Sequence, residues 1–269
     1  MSLSRHLAAF SLCLCATVSA HAHNTFLLPS ATVVSGTAPW ITVDAGAATN
    51  VFEFDHMPLN LDQLRITAPD GTQVAAENVR SARLRSSFDL ALAQTGTYRI
   101  SLVSRNLSAT YVENGKTKRW RGKQENLSTE IPASATEVVI TERNARIETI
   151  ATKGKPGGLA LNAVGAGLEL GVLTHPNDLV VGETARFRLL LDGQAVAGVA
   201  VKMIPGGQRY RQQSNEQSVT TDADGNFSFT WKQAGMVWLN AEVSDNKQSL
   251  PQANRRVASY ALTLEVLPE

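Results

Sequence analysis

Apolar and polar residues alternate along most of the chain, in short runs that end at Gly, Pro, Asn or Asp. Gln63 to Ala68 alternates and closes at Pro69-Asp70-Gly71, and Ala185 to Leu191 closes at Asp192-Gly193. Thr97 to Val103, Glu137 to Thr141 and Ala258 to Val266 follow the same period of two. That period places every second side chain on one face, so each run predicts a half-buried strand, and the Asp-Gly turns predict antiparallel neighbours. Helical spacing is confined to a short polar stretch from Arg119 to Ser128. The expected fold class is all-β: two tandem antiparallel β-sandwich domains of the Ig-like or transthyretin-like kind.

Glycine locates the division between them. Lys153 to Leu159 and Val164 to Gly167 are turn-rich and weakly patterned, which marks a linker near residue 160. The expected domains are 23–160 and 161–269, and a chain of 269 residues suits two units of roughly 100–130 residues each. The halves echo one another. Ala93-Gln-Thr-Gly-Thr-Tyr98 resembles Lys232-Gln-Ala-Gly-Met-Val-Trp238, each a glycine turn followed by an aromatic, as in the tyrosine corner of Ig-like sandwiches. Thr221 to Phe229, with Asp222-Ala-Asp-Gly225 at its centre, reads as a hairpin turn rather than a calcium loop, because no Glu follows at the twelfth position.

The first 22 residues break the pattern. Arg5, an apolar run from Leu7 to Val18 and the small-residue sequence Ser19-Ala20-His21-Ala22 form a secretory signal, so the mature protein is expected to be periplasmic or secreted. Both cysteines, Cys13 and Cys15, lie inside this leader, and neither has the context of a lipid-attachment site. No later stretch approaches the roughly 18 uninterrupted apolar residues of a membrane span. Processing changes the chemistry of the chain: thiolate and disulfide routes close, and a net charge of +1 falls to 0 once Arg5 is gone. A balanced charge offers no basic field for nucleic acid. There is also no Gly-x-Ser-x-Gly, no His-Glu-x-x-His and no dinucleotide fingerprint in its strand-turn-helix context, so an enzyme is not expected. Ser86-Ser87 lie in a strand-like run where serine is expected to face solvent.

What remains is histidine. Cleavage after Ala22 makes His23 the first residue, whose α-amine and imidazole chelate a metal as a pair. Cleavage after Ala20 leaves His21-Ala22-His23, four nitrogens in a plane, the geometry that Cu(II) and Ni(II) favour. His56 stands between Asp55 and Met57, a carboxylate able to orient or ligate and a soft thioether; His175 precedes Pro176-Asn177-Asp178. The competing reading of each is a turn histidine hydrogen-bonded to backbone. Arg119-Trp120-Arg121, flanked by lysines, and Tyr210 within Pro205 to Arg211 are either solvated loop tips or contact residues for a partner protein.

These segments resemble a known family. His23-Asn-Thr-Phe-Leu-Leu-Pro29, Phe54-Asp-His-Met-Pro-Leu59, Lys118-Arg-Trp-Arg-Gly122, Thr174-His-Pro-Asn-Asp-Leu179, Pro205 to Arg211, Thr221 to Gly225 and Gln233 to Trp238 are similar to secreted bacterial proteins of the "domain of unknown function 4198" family, often labelled as associated with nickel or cobalt uptake. Relatives commonly carry Asp-Phe-Trp after the first histidine, where this chain has Asn24-Thr25-Phe26, which removes one carboxylate beside the terminal ligand. The resemblance implies histidines at positions 23, 56 and 175. The expected function is a periplasmic protein that binds a divalent transition metal (Ni, Co, Cu or Zn) through His23, His56 and His175 and serves an envelope transporter or receptor. Asp55 or Asp178 would orient an imidazole, with His21 and Met57 as alternative ligands. The rival is a metal-free Ig-like module that contacts an envelope partner through Trp120 and Tyr210.

Overall fold

A computed structural model of the chain describes residues 23–269; the expected leader, with His21, lies outside them. The regular structure of the described residues is nearly all strand, with one α-helical turn at Leu127–Glu130. The predicted runs form strands at Leu64–Thr67, Gly96–Glu113, Thr136–Lys153, Thr184–Leu191 and Arg255–Val266. The stretch expected to be helix-compatible begins as strand, Lys116–Gly122, because its residues pair with Leu107 to Glu113 in a hairpin; the helix follows only after Lys123. No helix among the described residues is long and apolar enough to cross a membrane.

Two sandwiches are present, and they share a sheet. That sheet runs in the order Gln217–Thr220, Ala200–Pro205, Gly235–Asp245, Arg255–Val266, Thr136–Lys153, Gly96–Glu113, Leu64–Thr67 and Gln73–Val74. Its halves join where Thr141 to Thr149 pairs in parallel with Arg255 to Thr263. Strand alternation sends the two sandwiches to opposite faces of this sheet. Tyr98, Ile100, Leu102, Ile147 and Ala151 pack against the amino-terminal sheet through Phe26, Leu27, Ile41, Val43, Phe88 and Leu90. Ile150, Tyr260, Leu262 and Leu264 turn the other way, into the core built on Phe187, Leu189, Phe227 and Phe229. The connection across residues 154–167 leaves the end of Thr136–Lys153 and meets Arg99 and Arg146 of the shared sheet through the Asn162 and Ala166 carbonyls.

A polar cluster is buried beneath that connection. The Glu148 carboxylate accepts from Ser101 at 2.6 Å, Arg146 at 3.2 Å and the Tyr260 hydroxyl at 2.8 Å, with Arg99 Nε 4.0 Å away. Arg99 and Arg146 also donate to the carbonyls of Asn162 and Ala166 in the connection. Burial, followed by the neighbouring Glu148 charge, pushes the Tyr260 hydroxyl well above its ordinary range and keeps it neutral as a donor. Ser86 and Ser87 are also buried, contrary to expectation: their hydroxyls are taken by the Leu59 carbonyl and the Asp44 carboxylate, which removes the cost of hiding them from water.

Candidate metal centre

The amino-terminal sheet places His23 and His56 at one end of its central strand, Trp40–Ala48. Asn24 pairs with Ala48 on one side of that strand, while Met57 pairs with Ala47 on the other, opposite the edge where Asn24–Pro29 lies. His23 and His56, each one residue before its pairing partner, thus flank the same strand end. There the imidazole rings meet with centroids 3.4 Å apart and planes 3° from parallel. Both histidines are exposed, as is Asp55, and Met57 is half exposed.

The loop that carries His56 is folded on itself. Thr49 donates its amide to Asp55 Oδ1 at 3.0 Å, Glu53 N reaches the Asn50 carbonyl, and Asp55 N reaches the Glu53 carbonyl. Asn24 Nδ2 donates to the Thr49 carbonyl at 2.9 Å, which ties the His23 strand to the same loop. Phe52 sits at φ 65°, a left-handed conformation costing an aromatic residue about 1–3 kcal/mol. Its ring is held edge-on to Phe26 at 5.3 Å. Gly46 matters here for lack of a side chain: a Cβ would fall 2.8 Å from the Phe54 ring and push the loop outward.

Parallel rings in face-to-face contact cannot both aim a lone pair at one ion, because the ion must lie close to the plane of each imidazole. A shared metal, with nitrogen bonds of about 2.0–2.1 Å, requires the rings to tilt open about their side-chain torsions, which solvent exposure on both permits. Two imidazoles are a partial donor set. Among the described residues, no group of three or more His, Asp, Glu or Cys side chains is placed to hold a metal.

His175 does not join this pair. Its Nε2 lies 3.0 Å from Thr97 Oγ1, and its Nδ1 accepts the Asn177 amide at 3.1 Å, so both ring nitrogens are engaged and Nε2 carries the proton. Thr97 contacts Thr152 Oγ1, and Thr152 in turn donates to Asn177 Oδ1. Thr152 also donates its amide to the Thr32 carbonyl. That site lies beyond the far end of Asn24–Pro29, roughly 20 Å of extended chain from His23. Burial pushes the His175 imidazole below its ordinary pKa, and the nearby Asp178 carboxylate opposes the shift. The residue that sequence reasoning took for a third ligand is a turn histidine bridging the two sandwiches.

The partner-contact candidates are also dispersed. Trp120 lies in the Lys116–Gly122 strand, and its indole donates to Glu130 at 2.6 Å, with Arg119 and Arg121 exposed beside it. Tyr210 is 84% exposed, on a loop that reaches the metal-site side of the molecule. Sequence reasoning missed Gln208, Arg209 and Glu53. Gln208 Oε1 accepts the Val51 amide at 2.7 Å, and Arg209 meets Glu53 through its backbone amide at 3.0 Å and its guanidinium at 3.3 Å. Burial pushes the Glu53 carboxyl up, but its bonds from Arg209 and Asn50 outweigh this and hold it below the usual carboxylate range. Pro205-Gly-Gly-Gln in the sequence signals a tight loop, but nothing in it names the partner.

Fold and site together define a two-sandwich β-protein with paired histidines at a sheet end. The chain belongs to the family described as "Domain of unknown function (DUF4198)", whose model matches residues 20–245. Among curated proteins none matches it in sequence. Similar solved structures include the D0-D1 domain of intimin, at 11% identity over 88% of this chain and 96% of that one, with a TM-score of 0.20. A DUF3823 family protein from Bacteroides uniformis matches at 11% identity over 79% and 92% of the two chains, with a TM-score of 0.24. Escherichia coli alpha-2-macroglobulin activated by porcine elastase matches at 11% identity, 88% and 30%, with a TM-score of 0.22. At these scores the likenesses carry no weight, and the fold description stands on the strand register itself.

Proposed function

We propose that the protein is an exported transition-metal binder in which the α-amine and imidazole of His23, released by leader cleavage after Ala22, act with the His56 imidazole. The observation that supports this most is the contact of the two histidine rings across the end of the central strand. Three neutral nitrogens and no thiolate suit Cu(II) or Ni(II) before Zn(II), and the affinity order favours copper. Binding must displace a proton from the amine, whose pKa is about 7.7–8.0, so occupancy falls in acid. An exposed, three-donor site leaves positions open for exchange, as delivery to or from an envelope transporter requires. Asp55, whose Oδ1 is engaged by Thr49, orders the loop, while Met57 stands close enough in sequence to serve a reduced copper ion.

Calorimetry on the mature chain, with its first residue confirmed as His23 by mass spectrometry, tests this directly. One Cu(II) or Ni(II) per chain is expected, with binding lost in His56→Ala and in a chain carrying one extra residue ahead of His23. Absence of uptake for Cu, Ni, Co and Zn alike would end the metal reading and leave the interaction module, for which the exposed Tyr210 speaks.

A further inference from the structure

Both segments that carry the paired histidines are fastened from the other sandwich. Trp238, on the Gly235–Asp245 strand, buries its ring in the amino-terminal core and donates its indole N–H to the Thr25 carbonyl at 2.9 Å, two residues after His23. The loop at Gly206 to Arg209 grips the other segment: Gln208 takes the Val51 amide, Arg209 holds Glu53, and Gly206 lies against the Phe52 ring. A Cβ at Gly206 would sit 3.0 Å from that ring and 3.1 Å from the Met236 carbonyl, so the approach depends on glycine. Phe52 is the residue with the left-handed backbone, and its neighbours on both sides, Val51 and Glu53, are the two that the loop binds. Arg211 braces the loop from behind through the carbonyls of Pro205 and Gly206.

We infer that Gln208 and Arg209 are positioning residues for the metal site, holding the strained 49–56 loop so that His56 faces His23, and that the carboxy-terminal sandwich thereby sets the affinity of a site whose ligands all belong to the amino-terminal one. This rests on the metal reading above. The coupling runs through a short rigid path: the Asp55 amide is bonded to the Glu53 carbonyl, and the Asp55 carboxylate to Thr49, so displacement of Glu53 carries His56 with it.

The test uses the mature chain and Cu(II), with affinity measured by calorimetry and release followed on transfer to a chelator, each beside a thermal melt. In the double variant Gln208→Ala/Arg209→Gln, Cu(II) affinity is expected to fall roughly 10-fold, the low end of the effect of outer partners on a metal site, with faster release. Arg209→Lys, which keeps the charge opposite Glu53, recovers most of that loss. Tyr260→Phe, a buried change remote from the loop, lowers the melting midpoint but leaves Cu(II) affinity unaltered, which separates positioning from general destabilisation. Wild-type affinity in the double variant, with the wild type itself binding, overturns the positioning role alone; a wild type that takes no metal overturns both readings.

Discussion

The glycine turns before Tyr98 and before Trp238 begin alike and end with their aromatics serving different sandwiches. Tyr98 is 1% exposed in its own core, and its hydroxyl closes the turn locally, accepting the Gln94 amide at 2.7 Å and donating to the Gln94 carbonyl at 3.2 Å. Trp238, one residue further from its glycine, falls on the opposite face of its strand from Val237 and Leu239. Those two fill the carboxy-terminal core, while Trp238 enters the amino-terminal one and bonds to Thr25. One inserted residue therefore changes a local seal into a bond between sandwiches, because side chains on a strand alternate faces.

Removing the bond between sandwiches should have the largest effect. Trp238→Ala is expected to cost about 3–5 kcal/mol, the range for deleting a large buried aromatic, and to speed amide exchange in Asn24–Pro29, a strand of the other sandwich. Tyr98→Phe, which keeps the ring and loses only the turn bonds, should cost about 1 kcal/mol. Equal losses in denaturant melts would erase the distinction between them.

The polar cluster on the other face of the shared sheet comes next. Glu148→Ala strands two buried guanidinium groups and should cost about 3 kcal/mol, the low end for breaking a buried pair, since Arg99 and Arg146 keep their carbonyl bonds to the connection. Replacing Arg99, Arg146 and Glu148 together by apolar residues should restore most of the stability. A triple variant no better than Glu148→Ala in urea titration would show that the charges themselves are needed.

The smallest effect concerns His175. The folded protein resists its protonation, while the unfolded chain takes the proton near pH 6.5. The unfolded state therefore binds more protons, and the contribution of neutral His175 is complete above about pH 6.5 and is lost as pH falls through the lower folded value. His175→Asn should flatten the fall in stability below pH 6.5, and an unchanged slope in chemical denaturation across that range would remove His175 as its source.

The strand class was legible in the sequence because it is local: alternation and Asp-Gly turns mark Leu64–Thr67 and Thr184–Leu191 to within a residue or two. The lengths of Gly96–Glu113 and Thr136–Lys153 were not, since their polar middles, such as Arg105-Asn106 and Glu142 to Asn144, carry no apolar stripe and stay extended by pairing with each other and with Arg256 to Ala258. The parallel junction at Thr141 to Thr149 joins residues over a hundred positions apart, beyond the reach of any window. At the site, scarcity and the expected leader cut singled out His23, His56 and His175 alike, and the fold sets His175 apart from the other two. Its hydrogen bonds to Thr97 and Asn177 come from neighbours that spacing does not reveal.

The parallel junction also fixes an order of assembly. Until Arg255–Val266 has been made and threaded beside Thr136–Lys153, the amino-terminal sandwich has an open sheet edge and lacks Ala261 and Trp238 from its core. An emerging chain must carry that exposed edge while residues 154–254 are made, and such edges invite pairing with other chains. Pairing that waits until the last strand has been made is the order in which that edge finds its own partner first.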